Sequence, residues 1–183
     1  KKCKAIYETP HYASIERRHG LEKERKELEE SLKGYKENVA PVLKGTLKWE
    51  RDLLFTARTQ RGYEIEFDAH IQWGCAPTEG LLLSLSGCMG IDVVMFLQKM
   101  KAKLTNFKIE IVGERNPTPP QYFNAIEIIL HISGENITQK QVERAVSLSQ
   151  EKYCSVYHSL RKDLKVSVKY IINEEAGIKE TMD

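Results

Sequence analysis

The sequence predicts an α+β domain, and three observations lead to that fold class. Short segments with strand patterning precede one long apolar helix, and further strands, a second helix and a closing strand follow it. The chain has 183 residues, which suffices for one packed domain and an extension. From the order of the elements, we expect helices to cover one face of a sheet of about six strands.

Residues 1–43 are predicted to be an extension, and residues 44–183 the domain itself. Residues 15–39 are rich in Glu, Lys and Arg, and a narrow apolar stripe recurs at helical spacing at Leu21, Leu28, Leu32 and Tyr35. This pattern predicts an exposed amphipathic helix.

The strands of the domain are short runs bounded by turn residues. Before the apolar helix they are predicted over Thr46–Glu50, Leu53–Arg58 and Tyr63–Asp68, the last two forming a hairpin around Gly62. After it we predict strands over Phe107–Val112 and Tyr122–Ile132, a helix over Gln139–Lys152, a short helical run after Cys154, and a strand over Leu164–Ile172.

The apolar helix dominates the middle of the chain. Pro77 opens it, and the predicted helix, Thr78–Lys103, is apolar nearly all round, so it must be buried on most of its sides. Asp92 and Gln98 interrupt it, so we expect no segment to reach the roughly 18 apolar residues of a membrane span. Because a small sheet cannot hide such a helix, we predict an intimate homodimer.

Charge and the first residues bear on location and partners. The 28 Lys and Arg are interleaved with 26 Asp and Glu, for a formal charge of +2, which does not favour a nucleic-acid partner. The stretch Lys1–Tyr12 lacks the apolar run of a secretory signal. We therefore expect a cytoplasmic protein with no nucleic-acid or membrane partner.

Cys88 is the most informative of four cysteines, which are too few and too widely spaced for a secreted disulfide framework. The polar and small residues of the apolar helix recur every four positions, at Gly80, Ser84, Cys88 and Asp92, and so share one stripe. Gly87 and Gly90 remove bulk beside the sulfur. They either let a substrate or another backbone approach it, or permit close helix packing around a filler cysteine.

Cys154 lies where the second helix gives way to the third. A thiol near a helix N-terminus gains from the helix dipole, which favours the thiolate. His158, one turn on, either adds positive charge or is an ordinary surface histidine. Cys75 precedes a helix start and Cys3 lies near the chain terminus, and both are weaker candidates.

Two further chemistries are not expected from the residue pattern. No His or Cys cluster shows ligand spacing, so a metal site is not predicted. Asp92 is expected to hydrogen-bond within the core and not to act as a base.

Two segments carry a resemblance to a known family. PTEGLLLSLSGCMGIDVV at residues 77–94 and SQEKYCSV at residues 149–156 resemble the osmotically induced protein C (OsmC) family, which includes the organic hydroperoxide resistance proteins. The resemblance runs from about Lys44 to Asn173 and keeps both cysteines in order. The N-terminal helix lies outside it.

The resemblance implies a domain-tangled homodimer in which two antiparallel sheets wrap a pair of central helices, with two active sites where the subunits meet. It also implies a thiol peroxidase without a cofactor. Cys88 would attack an organic hydroperoxide, and Cys154 would resolve the sulfenic acid as an intramolecular disulfide. The reductant would be a dithiol, of the lipoyl type in such proteins.

An arginine and an acid complete the site that the resemblance implies. A thiolate in an apolar helix needs a nearby cation, and Arg58 best fits the family's strand arginine, with Arg61 as the alternative. The family's acid directly follows proline, whereas here Thr78 does and Glu79 comes next. Glu79 is nine positions before Cys88, about 180° away on an ideal helix, so it serves either the partner's site or the helix N-terminus.

Two alternatives to the peroxidase remain at this stage. The shifted acid and the added N-terminal helix also suit a non-enzymatic dimer that senses redox state or binds a small apolar ligand. A cysteine hydrolase would need a histidine beside Cys88, and none is predicted there.

Overall fold

The computed structural model describes residues 7–8, 26–28, 30–36 and 39–173. The described strands are β1 (Tyr7–Glu8), β2 (Gly45–Arg51), β3 (Leu54–Thr59), β4 (Glu64–Asp68), β5 (Lys103–Arg115), β6 (Phe123–Glu135) and β7 (Lys165–Ile172). The helices are α1 (Pro77–Lys99), α2 (Gln139–Leu148) and α3 (Ser155–Ser159), with a π-helical turn, Ser149–Tyr153, between the last two. The fold is α+β, as predicted.

The chain forms two compact units. One is Gly34–Ser84, and the other joins Leu85–Asp183 to the segment Lys1–Lys33, each within the described residues. Helix α1 begins in the first unit and continues into the second. The predicted boundary at residue 43 stays a prediction.

The first unit is a three-stranded antiparallel sheet in the order β2-β3-β4. The hairpin predicted around Gly62 is confirmed, because β3 pairs with β4 from Leu54 opposite Asp68 to Arg58 opposite Glu64. Gly62 has a φ of 90° and donates its N–H to the Thr59 carbonyl. This left-handed conformation explains why glycine stands in the turn.

The second unit holds a four-stranded sheet in the order β1-β7-β6-β5. The expected single sheet of about six strands is therefore wrong, since the strands divide between two sheets. The expectation of purely antiparallel sheets is also wrong, because β6 and β7 pair in parallel, Ala125 opposite Lys165. Helices α2 and α3 lie between these strands in the chain, and a helical crossover returns the chain to the same end of the sheet.

Helix α1 stops four residues before the predicted end at Lys103, which instead starts β5. Lys101 adopts a φ of 65°, and the N–H of Ala102 donates to the Leu97 carbonyl. A left-handed residue at this point closes the helix and redirects the chain into a strand. The sequence did not reveal this stop because residues 98–103 contain no Gly or Pro that would mark a helix end.

Helix α1 is a partly buried core helix. Its buried face holds Leu85, Met89, Val93, Phe96 and Leu97. The prediction of burial on most sides does not hold within one chain, because Leu83 is 61% exposed and Ile91 65% exposed. By length and composition alone the helix could cross a membrane, although 39% of its most apolar window is buried within the chain.

Only part of the predicted N-terminal helix can be compared. Residues 26–28 and 30–31 are helical, and the side chains of Leu28 and Leu32 are buried, as an amphipathic stripe requires. The predicted helix end at Val39 is wrong, because residues 32–36 form a turn and Val39 is not helical. The part of that prediction before residue 26, with Leu21, lies outside the described residues, as does Cys3. Within the extension, β1 pairs with β7, Tyr7 opposite Tyr170.

Candidate active site

Cys88 and Asp92 lie one turn apart on α1, so both side chains point to the same side of the helix. Asp92 is fully buried and Cys88 is half-buried. One turn before Cys88, the Ser84 hydroxyl donates to the Gly80 carbonyl at 2.7 Å, which satisfies that polar side chain within the helix. The stripe predicted from the four-residue spacing therefore contains the half-buried thiol of Cys88 and the buried carboxylate of Asp92.

A π-helical turn positions Cys154. Helix α2 starts with a capping box between Thr138 and Gln141, and its α-helical hydrogen bonding ends at Leu148, four residues before the predicted end. The π-helical turn follows directly, and the N–H of Cys154 donates to the Ser149 carbonyl at 2.8 Å. Such turns inside helices often occur at functional sites.

The two segments bring three reactive groups together. The Sγ atoms of Cys88 and Cys154 and a carboxylate oxygen of Asp92 all lie within 4.8 Å of one another. The Ser149 hydroxyl donates to Asp92 at 2.9 Å, which ties the π-helical turn to α1. The expectation that Asp92 hydrogen-bonds within the core is confirmed. A thiol pair at this separation can close to a disulfide after a small movement.

Burial controls the protonation of Cys154. Its predicted place at a helix start is confirmed, since it caps α3 and its Sγ accepts the Tyr157 N–H at 3.4 Å. The predicted consequence, a favoured thiolate, is wrong, because burial, Cys88 and Asp92 together raise the pKa of Cys154 to about 12, with burial as the largest cause. The Tyr157 N–H lowers this pKa, but less than burial raises it. Desolvation of a charged sulfur outweighs one turn of helix dipole.

The two glycines beside Cys88 play different roles. A Cβ on Gly90 would lie 3.1 Å from Ile109 Cδ1 and 3.5 Å from Phe107, so this glycine lets α1 pack closely on β5. A Cβ on Gly87 would meet no atom within 4 Å among the described residues. Close packing therefore explains Gly90, whereas Gly87 leaves open space one residue before the sulfur.

The predicted arginine and acid lie in the first unit. Arg58, on β3, is 61% exposed, and its Nε lies 3.6 Å from a Glu64 carboxylate oxygen. Arg61 lies in the exposed turn between β3 and β4. The Glu79 carboxylate accepts the Ala76 N–H at 2.7 Å. This contact corresponds to the predicted alternative in which Glu79 serves the N-terminus of the helix.

The weaker candidates have ordinary surroundings. His158 is exposed and packs its ring edge-on against Tyr157, at 5.7 Å between ring centres. Cys75 is half-buried, and its Sγ lies 3.8 Å from the Glu66 carbonyl oxygen. His158 therefore has the surroundings of an ordinary surface histidine, and Cys75 has those of a packed thiol.

The cluster Cys88, Asp92 and Cys154 is also the set of described residues that could approach a metal ion. It offers three donors, one fewer than a closed structural zinc site. Metal binding further requires the thiolate form, and burial keeps the pKa of Cys154 near 12. This donor set suits thiol chemistry better than a resident metal.

A separate cavity lies within the first unit. It measures about 330 Å³ and is lined by Arg51, Asp52, Leu53, Leu54, Asp68, His70, Gln72 and Trp73. None of the residues predicted for the site lines it. Asp68 accepts three backbone N–H groups there, from His70, Gln72 and Trp73, and these lower its pKa. That carboxylate organises the loop before α1.

Sequence reasoning missed one member of the cluster. Ser149 had no distinguishing pattern, since it lies within a polar helix end, and its contact with Asp92 joins segments far apart in the chain. The signal that could have found it is the same segment that carries the family resemblance, which starts at this serine.

Comparison with known proteins finds both a matching family model and a similar bacterial protein. A family model described as OsmC-like protein matches residues 67–169. Protein YhfA of Escherichia coli K12 is 31% identical over 129 residues, which cover 70% of this chain and 96% of YhfA.

Solved structures extend the likeness to the fold. A hypothetical protein from Aquifex aeolicus VF5 superposes with a TM-score of 0.64 at 32% identity, over 74% of this chain and 100% of that one. An OsmC like protein from Mycoplasma pneumoniae has a TM-score of 0.64 at 17% identity, over the same shares. The second comparison speaks for the fold alone.

Proposed function

This chain belongs to the OsmC-like protein family, and from that membership we propose that it is a thiol peroxidase for organic hydroperoxides. One observation carries the proposal: two thiols, Cys88 and Cys154, lie within 4.8 Å of each other next to a buried carboxylate. A pair at this distance can store two electrons as a disulfide and release them to a reductant.

The two thiols differ in a way that assigns their roles. Cys88 is half-buried and has open space beside it at Gly87, so a peroxide can approach its sulfur. Cys154 is buried, and its raised pKa keeps it protonated at neutral pH. Only a thiolate attacks an O–O bond efficiently, so Cys88 is the nucleophile and Cys154 the resolving cysteine.

The reaction follows in three balanced steps. The Cys88 sulfur attacks the terminal peroxide oxygen, the O–O bond breaks, and the products are a sulfenic acid and an alcohol. The Cys154 sulfur then attacks Cys88, the S–O bond breaks, and a disulfide and water form. A dithiol, of the lipoyl type, reduces that disulfide and is oxidised in turn.

Arg58 is the proposed activating cation, with Arg61 as the alternative. A guanidinium near Cys88 would favour its thiolate and donate to the departing oxygen. In the described structure the Arg58 side chain is exposed and makes a surface ion pair with Glu64, and such an exposed pair is weak enough to be given up for a role beside a thiol. Glu79 is the acid proposed to orient that arginine. The hydrogen bond from the Ala76 N–H engages the same carboxylate and would compete with this role.

The active form is proposed to be a homodimer in the cytoplasm. Leu83 and Ile91 form an apolar face of α1, and both are exposed in a single chain. A second copy would cover this apolar face and complete the burial of α1.

Peroxide consumption by the reduced protein tests the function. With cumene hydroperoxide and a lipoyl dithiol, we expect turnover by the unaltered protein and none by Cys88→Ser. Cys154→Ser is the matched control, and without the dithiol it should consume one equivalent of peroxide and keep a sulfenic acid at Cys88. Peroxide consumption by Cys88→Ser at the normal rate would overturn the proposal.

A binding or redox-sensing dimer without turnover is the second candidate. It is favoured by the engagement of Glu79 with the helix N-terminus, because an acid held there does not orient an arginine. Absent turnover with dithiols, together with a small apolar ligand that co-purifies with the protein, would support it.

A further inference from the structure

The disulfide step of the proposed function poses a proton problem, and the present inference rests on that function. Cys154 must lose its proton as its sulfur attacks the Cys88 sulfenic acid, and the departing oxygen must gain one. Burial is the largest cause that holds the pKa of Cys154 near 12, so little thiolate exists at neutral pH. A buried base beside Cys154 would remove this obstacle.

Asp92 is the carboxylate in reach. One of its oxygens lies within 4.8 Å of both sulfurs, and the residue has no solvent exposure. The Ser149 hydroxyl donates to Oδ2 at 2.9 Å, which fixes the orientation of the group. Two ionisable groups that face Asp92 are Cys88 from its own helix and Cys154 from the end of the π-helical turn.

We propose that Asp92 accepts the proton of Cys154 as the disulfide forms and passes it to the oxygen that leaves Cys88. The S–H bond of Cys154 and the S–O bond of Cys88 break, the S–S bond forms, and the proton and hydroxide leave as water. Asp92 returns to its carboxylate form, and the oxidant in this step is the Cys88 sulfenic acid that the peroxide produced. Asp92 therefore serves the second chemical step and not the first.

The charge of Asp92 favours a concerted transfer. The carboxylate itself raises the pKa of Cys154, after burial and contacts with Cys88, so it disfavours a free thiolate beside it. Proton transfer during sulfur attack avoids two adjacent negative charges in a buried site. Ser149 is a positioning residue, because it touches the carboxylate and not the reacting sulfurs.

The test uses a disulfide step that needs no peroxide. In the reduced full chain with Cys3→Ser and Cys75→Ser, the background for every variant of this test, Ellman's reagent loads Cys88 with thionitrobenzoate. Attack by Cys154 then releases a coloured thiolate whose rate is measured. Asp92→Asn keeps the shape and the Ser149 contact, and we expect it to slow release by about 10²- to 10⁴-fold. Its rate should rise about tenfold per pH unit, since hydroxide must replace the carboxylate.

Controls separate this proposal from the peroxidase proposal. Cys154→Ser should release no second equivalent, and Ser149→Ala should release it more slowly than the unaltered protein with a changed pH profile. Release by Asp92→Asn at the unaltered rate would overturn the role of Asp92, whatever the protein does with peroxide. If Asp92→Asn does not fold, an unaltered rate in Ser149→Ala and no solvent deuterium isotope effect on the unaltered protein would overturn it equally. Absence of sulfenic acid after peroxide would count against the peroxidase alone.

Discussion

The sulfurs of Cys88, on helix α1, and Cys154, at the end of the π-helical turn, lie within 4.8 Å of each other, one half-buried and the other wholly buried. Their different burial means that two thiols at nearly the same place have different chemistry. The half-buried Cys88 thiol is accessible to a small molecule, whereas the buried Cys154 thiol is accessible to the Cys88 sulfur.

Alkylation should therefore distinguish the two thiols. With limiting iodoacetamide near pH 8, we expect Cys88 to be labelled and Cys154 to react only after unfolding, because its pKa near 12 leaves almost no thiolate. Its native labelling should rise about tenfold per pH unit up to that pKa. Peptide mapping by mass spectrometry reports both sites, and equal labelling at pH 8 would contradict the assignment.

Stability in alkali should depend on Cys154. Folding raises its pKa from 9.0 to about 12, so the folded state holds the proton more tightly than the unfolded state. This contribution is complete below pH 9 and is lost as the pH rises from 9 towards about 12. The free energy of unfolding in urea should fall more steeply over this window for the reduced protein than for Cys154→Ser. Parallel slopes would disprove the linkage.

Mild peroxide should join these thiols within one chain. The sulfurs need to close from at most 4.8 Å to about 2.05 Å, which side-chain rotation and a small helix shift can supply. Peptide mapping should give one Cys88 to Cys154 crosslink, and non-reducing electrophoresis should show monomer mobility. Cys75→Ser is the control and should change nothing, whereas a covalent dimer would count against the pairing.

Arg58 and Arg61 can be separated by substitution. Arg58→Met should slow sulfenic acid formation by about 10²- to 10³-fold, as expected for loss of one charged donor at a developing anion. The same change at Arg61 should have little effect. Since the Arg58 ion pair with Glu64 is exposed, neither change should alter the thermal midpoint appreciably. The reverse order of effects would assign the role to Arg61.

The exposed face of α1 provides a test of assembly. Ile91 is 65% exposed, and Ile91→Lys would place an ammonium in the interface proposed to cover it. Analytical ultracentrifugation should show a dimer for the unaltered protein and a shift towards monomer for this variant. Lys162→Glu, an exposed loop substitution, should leave the dimer intact. A variant that stays fully dimeric would mean that another surface joins the subunits.

The sequence by itself determined the family, the order of strands and helices, and the identity of the two thiols. These properties depend on local periodicity and on contiguous motif segments, such as residues 77–94, which can be read without knowing what they touch. The capping and turn residues Pro77 and Gly62 marked real boundaries for the same reason.

Only the tertiary structure decided how the strands divide into two sheets, where α1 stops and what surrounds Cys154. Strand partners and burial depend on contacts between distant segments, so β7 could lie parallel to β6 without any local signal. The helix dipole at Cys154 is a local property, but the desolvation that overrides it comes from the whole core. The contact of Ser149 with Asp92 exists only once α1 and the π-helical turn have packed together.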